Sequence, residues 1–476
     1  MSAAVSPAFW VAPDAPVQPA MTVASLEHAG TRTPIGWPVL TPTELETLAT
    51  WLRTRRDAVL AGRTVAQIAE ALDTVSARWL APDFPPRRAA LPIISAITGY
   101  SEAMVAHAID LEMTSSRKGD LLGALDEELG SHNLLDGPSP THYGTRRAFG
   151  PGLVGGVFSA NIPALPHLTA MRALLVKAPC LGRVSRHEPV FLPMYAKSLA
   201  DVDPGLASCL AVLTWDPADA GLEAAFLGAI DHLIAYGGDV ALAALRSKLP
   251  PTTDATWHGH RMGFAVVLRE ALTPDGLSAL AHALAYDFSV FDQHACLAPQ
   301  AVFVEDGGAV SPHALAEAVA SAMADWAQTL PPRRLAVEEA TTLRAAVDRA
   351  TVRSLMDPDV RVLGPARGVQ GVVVLDPEKA LAATPLDRFV RVVPLDDALV
   401  EVPALLRAHS GRLQGAAVAG VGPRLERLKA TLARLGLNRL CPPGLMGTPS
   451  MRWRHDGHAC LARLVRFCDD ESRPPR

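Results

Sequence analysis

Two hydrophobic rhythms run along the chain and divide it into regions. The first forty residues are rich in Pro and Ala and show no helical periodicity, which reads as an extended arm over 1–40. Apolar positions then recur at three- and four-residue spacing: Leu45, Leu48 and Leu52, followed by Val65, Ile68, Leu72, Val75 and Trp79. That spacing places each set on one face of a helix. Both runs carry start signals. Thr41-Pro42-Thr43-Glu44 is a capping box with proline at the first helical position, Thr64-Val65-Ala66-Gln67 repeats the box, and Gly62 separates the two helices.

From residue 150 the rhythm changes to short apolar runs alternating with alanine-rich helical segments. The runs at 152–160, 180–186, 210–215 and 232–238 read as buried strands joined by segments long enough for crossover helices. A second set follows at 263–270, 301–307, 371–376, 389–395 and 415–420. Strands alternating with helices predict wound, parallel α/β sheets. The terminal DDESRPPR reads as an unstructured tail.

Composition narrows the function classes. With 476 residues, more than one core is expected, and 49% apolar with 20% charged residues is ordinary for a globular protein. A formal net charge of −5 without a basic block argues against a nucleic-acid partner. No uninterrupted apolar run approaches the roughly 18 residues a membrane helix needs. The start, MSAAVSPAFWVAPDAPVQPA, lacks a positive n-region, so a cytoplasmic location is expected. The six cysteines show no paired CxxC spacing, which predicts free thiols.

A few residues could carry chemistry, each with a structural rival. Cys296, in FDQHACLAPQAVFV before a predicted strand, is either core or a nucleophile. Asn161 follows the 152–160 strand and opens a helix, so it is either an N-cap or an amide aimed at a developing oxyanion. Arg183 and Arg186 close the next strand, where wound sheets bind their ligands, or are simply solvated. The turn Tyr236-Gly237-Gly238-Asp239 could cradle a pyrophosphate. His258, His260, His455, His458 and Cys460 lack two finger-like ligand pairs, so no metal is expected.

Taken in order, the blocks GLVGGVFSANIPALP, GRVSRHEP, LIAYGGDVALAALRSKLP, WHGHRMGFAVVL, FDQHACLAPQAVFVE, PLDRFVRVVPLDD and LNRLCPPGLMGTPSMRWRHDGHACLARLVRF resemble the aldehyde dehydrogenase superfamily. Within it the chain is similar to the acyl-CoA and acyl-protein thioester reductases related to the bacterial bioluminescence fatty-acid reductase. The resemblance spans residues 95–467. It implies an α/β, aldehyde-dehydrogenase-like fold with an oligomerising arm. The expected divisions are a nicotinamide-binding wound domain over 41–257, a catalytic α/β domain over 258–445 and a C-terminal segment over 446–476. By the same resemblance Cys296 falls on the catalytic cysteine and Asn161 on the oxyanion-hole asparagine. Ser159, Arg183, Arg186, Gly237 and Gly238 fall on the cofactor side, and Asp387 and Phe389 fall against the nicotinamide ribose.

The departures from the superfamily also carry meaning. The adenosine-side lysine is Arg183 here. Arg186 stands three positions later, where NAD-preferring relatives carry a glutamate, which implies NADPH as cofactor. The position of the base glutamate of aldehyde oxidisers falls on Trp257, which implies reduction rather than oxidation. The expected activity is reduction of acyl-CoA or a carrier-protein acyl thioester to the aldehyde, by a homo-oligomer with His258 or His260 as candidate acids. An aldehyde oxidiser and a catalytically silent partner subunit of an acyl-processing assembly are the rival readings.

Overall fold

The computed structural model describes residues 5–365 and 370–472. Both expected capping boxes are present. The Thr41 side chain caps the helix Pro42–Arg55 and Thr64 caps Val65–Leu80, each with its reciprocal Glu44 or Gln67 bond. The apolar stripes named above are buried on these helices.

The first wound sheet has five parallel strands in the order Asp254–His258, His232–Tyr236, Val154–Val157, Cys180–Arg183, Leu210–Leu213. Its earliest strand, Val154–Val157, lies in the middle, with its successor on one side and His232–Tyr236 on the other. The direction of winding therefore reverses there, and a crevice opens at the carboxyl ends of these strands. Gly155 and Gly156 allow close packing at this point. A Cβ on Gly155 would come within 2.5 Å of Ile230, and one on Gly156 would run into the Phe158 ring.

The second sheet has seven strands in the order Arg361–Leu363, Val372–Leu375, Phe389–Leu395, Pro299–Glu305, Met262–Val267, Leu413–Ala419, Arg439–Cys441. Every pairing is parallel except that of Arg361–Leu363 with Val372–Leu375. Its middle strand Pro299–Glu305 is buried along its whole length and follows directly on Cys296. The two wound sheets make the chain α/β, as expected, with smaller, mainly antiparallel sheets at its periphery.

Three expectations need correction. The arm expected over 1–40 is not merely extended chain where described: Ala20–His28 and Thr31–Val39 form an antiparallel hairpin of two nine-residue strands. Its tight turn sits at Ala29 and Gly30, with φ of 47° and 78°, the positive values a two-residue hairpin loop demands. Pro34 and Pro38 fall inside the second strand and have no N–H to donate. They are tolerated because the second edge of their strand is paired only at Ile35 and Gly36, by the short strand Ser6–Pro7. The acidic tail is structured at its start, since Asp469 and Asp470 end the strand Arg466–Asp470 paired with Thr145–Phe149. Finally, the strand at 180–186 stops at Arg183.

No single helix among the described residues is long and apolar enough to cross a membrane.

One local feature fixes the approach to Cys296. Phe291, Asp292 and Gln293 have φ of 53°, 47° and 66°, and Leu386, Asp387 and Arg388 have φ of 64°, 53° and 64°. Left-handed backbone in a non-glycine residue costs roughly 1–3 kcal/mol. The two segments are locked to each other. The Arg388 guanidinium pairs with the Asp292 carboxylate, with side chains 1% and 0% exposed, and the Asp387 N–H donates to the Asp292 carbonyl at 3.0 Å. The Arg333 N–H donates to the Asp292 carboxylate at 3.1 Å, and Arg388 also donates to the Leu330 carbonyl at 2.7 Å. Arg388→Met strands a buried carboxylate and is expected to lower unfolding free energy by about 3–5 kcal/mol in denaturant titration. A loss under about 1 kcal/mol would show that the pair does not hold the segments.

Candidate active site

Two loops meet at the crevice, one from each sheet. The loop after Val154–Val157 carries Asn161. It does not cap a helix: the next helix, His167–Leu175, begins six residues later with Pro166 at its N-cap. Instead the Asn161 Oδ1 accepts from the Ser159 hydroxyl at 2.6 Å, and Nδ2 donates to the His294 carbonyl at 3.0 Å. A carboxamide has two N–H donors. The second has no acceptor among the described residues. The Tyr100 hydroxyl ties the loops further, 3.0 Å from the Asn161 carbonyl oxygen and 3.2 Å from that of Phe291.

Cys296, part-buried, stands at the junction of two cavities. One, of about 530 Å³, lies over the carboxyl ends of the first sheet and is lined by Ser159, Asn161, Ser185, Gly237 and Gly238. The other, of about 450 Å³, passes Leu111, Ile162, Phe291, Met451 and Trp453. A reacting carbon at Cys296 is thus reachable from both cavities.

The first cavity fits a dinucleotide. Gly238 is the N-cap of the helix Asp239–Arg246 and no side chain caps it, so the orphan N–H groups of its first turn are open. A Cβ at Gly238 would meet nothing within 4 Å, which leaves room for a phosphate against the backbone. Arg186 is exposed, with its guanidinium over the Trp37 ring and an exposed pair to Asp216 at 3.0 Å.

Arg183, by contrast, is buried, paired with Glu223 at 3.0 Å and stacked on Trp215. Its charge is already neutralised inside the fold, so it is not free for a phosphate. Asp387 and Phe389 do not face the crevice as expected. The Asp387 carboxylate is buried against His294 at 3.0 Å and Arg333 at 3.5 Å. Phe389 starts a strand and packs in a separate core with Leu343, Val360 and Val372.

The largest correction concerns Trp257. Adjacent strand residues point to opposite faces. The Trp257 indole faces away from Cys296, packed with Leu242 and Leu245 and covered by the Arg246 guanidinium at 4.8 Å. His258 therefore points to the crevice. Its ring stacks on Tyr236 at 4.5 Å and on His455 at 4.1 Å, and its Nδ1 is 2.7 Å from the Asp456 carboxylate. His455 Nε2 in turn lies 4.0 Å from the Cys296 sulfur. His260 lines the larger cavity but makes no such contact.

His455 reaches this point because its segment is pinned between the sheets. The Glu128 carboxylate accepts the N–H groups of Cys460, Leu461 and Ala462 at 2.9, 2.6 and 2.8 Å. Sequence reasoning weighed His455 only as a zinc ligand, and His258 as a zinc ligand or an acid. The nearest signal was RWRHDGH, but a residue 159 positions from Cys296 cannot be placed beside it by spacing.

Burial sets the protonation of the cluster. It pushes the Cys296 thiol up to about 12, and it holds the His455 imidazole down to about 3, helped by the neighbouring His258. His258 is likewise lowered by burial, against the pull of its Asp456 hydrogen bond. His258, His455 and Asp456 offer donor atoms within 4.8 Å of one another, a span a cation could use. Both Asp456 oxygens are already engaged, by His258 at 2.7 Å and Arg261 at 3.2 Å, so the trio reads as a hydrogen-bonded network.

Comparison with known proteins agrees with this frame. Solved structures share the fold: an aldehyde dehydrogenase from Burkholderia cenocepacia matches with TM-score 0.71 at 14% identity, over 94% of this chain and 95% of that one. Aldehyde dehydrogenase C of Pseudomonas syringae, solved as a mutant with NAD+ and octanal, matches with TM-score 0.69 at 13% identity, over 97% and 95%. The long-chain acyl-protein thioester reductase of Photorhabdus laumondii is 28% identical over 49% of this chain and 48% of its own length. This chain thus spans about half of that relative. The reductase of the same name from Aliivibrio fischeri is 26% identical over 85% of this chain and 82% of its own. The family described as acyl-CoA reductase (LuxC) matches residues 60–467, and the chain belongs to that family.

Proposed function

We propose that this protein reduces an acyl thioester, carried on coenzyme A or on a protein, to the aldehyde through an acyl-enzyme on Cys296. The observation that carries the reading is the place of Cys296, between a crevice suited to a dinucleotide and a second channel. In that channel Leu111, Ile162, Leu165, Phe291 and Met451 can hold an acyl chain, with Asp110, Glu112 and Arg172 also on its wall. The sulfur attacks the thioester carbonyl, and the unengaged Asn161 N–H faces the oxygen on which charge develops. Loss of the carrier thiol leaves the acyl group on Cys296. A bound nicotinamide supplies the hydride that takes this carbonyl to the aldehyde level. Ser159, Gly237 and Gly238 line the crevice in which that cofactor is held. The exposed strand Arg466–Asp470, with Phe467 at its surface and one edge paired to the half-buried Thr145–Phe149, supports self-association into a homo-oligomer.

Oxidation of aldehydes to acids is the second reading, and His455 beside Cys296 is what favours it, because a base there can deliver water. Aldehyde and NADP+ without a thiol acceptor decide between them. Acid formation is expected to be slower than thioester reduction, and the reverse order would make the protein an oxidiser.

For the oxyanion role, Asn161→Ala is expected to lower the reduction rate about 10²–10³-fold, or about 2.7–4 kcal/mol. Unchanged kcat in a folded variant contradicts it.

For the cofactor we propose a preference for NADPH, carried by Arg186 alone. Exposed pairs such as Arg186–Asp216 are worth about 0–1 kcal/mol, so the guanidinium can be released to a 2′-phosphate. A charge-assisted bond of about 1.5–3 kcal/mol exceeds that cost. Arg186→Glu should therefore reduce the NADPH-over-NADH ratio of kcat/KM by about tenfold or more. An unchanged ratio removes Arg186 from the cofactor site.

A further inference from the structure

We propose that His455 is the catalytic acid–base of acyl transfer, taking the proton of Cys296 as its sulfur attacks and returning it to the departing carrier thiol. His258 and Asp456 act as its positioning residues. The inference rests on the acyl-enzyme reading above and adds the group that moves the proton.

The geometry comes first. His455 Nε2 is the only imidazole nitrogen within hydrogen-bond reach of the Cys296 sulfur among the described residues, at 4.0 Å. Its ring is held flat between aromatic faces, 4.1 Å from His258 at an interplanar angle of 16° and 4.8 Å from Trp453 at 33°. Asp456, with φ of 56°, turns the chain directly after His455 and fixes His258 from its Nδ1 side. Arg261 holds the other Asp456 oxygen. His455 lines both the cofactor crevice and the acyl channel, so a carbonyl between them lies beside its ring.

The charged and titratable groups facing His455 are Cys296, His258, Asp456, Arg172, Arg261 and Tyr236. Asp456 favours the protonated ring, whereas His258, Arg172 and Arg261 oppose it. Together with burial these keep the ring neutral and the sulfur protonated at rest. Such a pair is inert until a carbonyl arrives. As the sulfur–carbon bond forms, the S–H bond breaks and its proton goes to His455 Nε2. When the tetrahedral species collapses, the bond to the carrier sulfur breaks and His455 gives that sulfur the proton. The step yields one acyl-Cys296 and one carrier thiol, and His455 ends neutral.

The test is acylation of the full-length protein by decanoyl-CoA without cofactor, followed by intact mass over pH 6–9. Neither Cys296 nor His455 titrates in that window, so the wild-type rate is expected to be flat. His455→Gln should be slower by about 10²–10⁴-fold at pH 7. Its rate should also rise about tenfold per pH unit, because attack then waits for the thiolate. Added imidazole should restore His455→Ala in part. Asp456→Asn should be slower but still flat with pH, as befits a residue that only positions the ring. A flat profile at the wild-type rate in His455→Gln overturns the proposal. A label that persists in Cys296→Ala overturns instead the acyl-enzyme reading on which it stands.

Discussion

The site depends on a buried ion pair that lines neither of its two cavities. Asp292 and Arg388, both excluded from solvent, hold together two segments whose backbone runs left-handed through three consecutive non-glycine residues each. Neither segment is favourable alone. Their mutual bonds decide where Gln293, His294, Ala295 and Cys296 emerge from the fold. The same clamp brings Asp387 against His294, and the His294 carbonyl then fixes the Asn161 amide. Cys296 and Asn161, the proposed nucleophile and oxyanion donor, thus sit in register because both are tied to one strained but locked turn.

Around that fixed point the groups proposed to react are kept uncharged. Cys296 and His455 are part-buried where the two cavities meet, and their desolvation disfavours thiolate and imidazolium alike. Carboxylates near the site are neutralised by arginines: Asp456 by Arg261, Asp387 by Arg333 and Asp292 by Arg388. The arrangement suits a reaction in which charge is to appear on the substrate oxygen and nowhere else at rest.

Much of the fold was legible in the sequence. Capping boxes at Thr41 and Thr64 are local, and the strand Phe389–Leu395 matches its apolar run residue for residue. The hairpin Ala20–His28/Thr31–Val39 was hidden because Pro34 and Pro38 signal a break unless the strand is known to leave most of one edge open. Within the site, ordered blocks pointed to Cys296, Asn161 and the glycine turn, all now lining one crevice. Arg183, Asp387 and Phe389 were misread because their partners Glu223, His294 and Leu343 lie far away in sequence. The face of a strand residue is a matter of register, and a shift of one exchanges Trp257 for His258. His455 could not be found at all without the Glu128 anchor that folds its segment back between the sheets.

The central claim is that the acyl group passes through Cys296. Six cysteines are available, and Cys460 and Cys441 are part-buried while Cys468 is exposed. The most direct measurement is proteolytic mapping of protein incubated with an acyl thioester in the absence of cofactor, then chased with NADPH. The account predicts one acylated peptide, that containing Cys296, whose label disappears on the chase with release of an equal amount of aldehyde. A label on any other cysteine that is chased to aldehyde, or a Cys296 adduct that NADPH does not discharge, would contradict it.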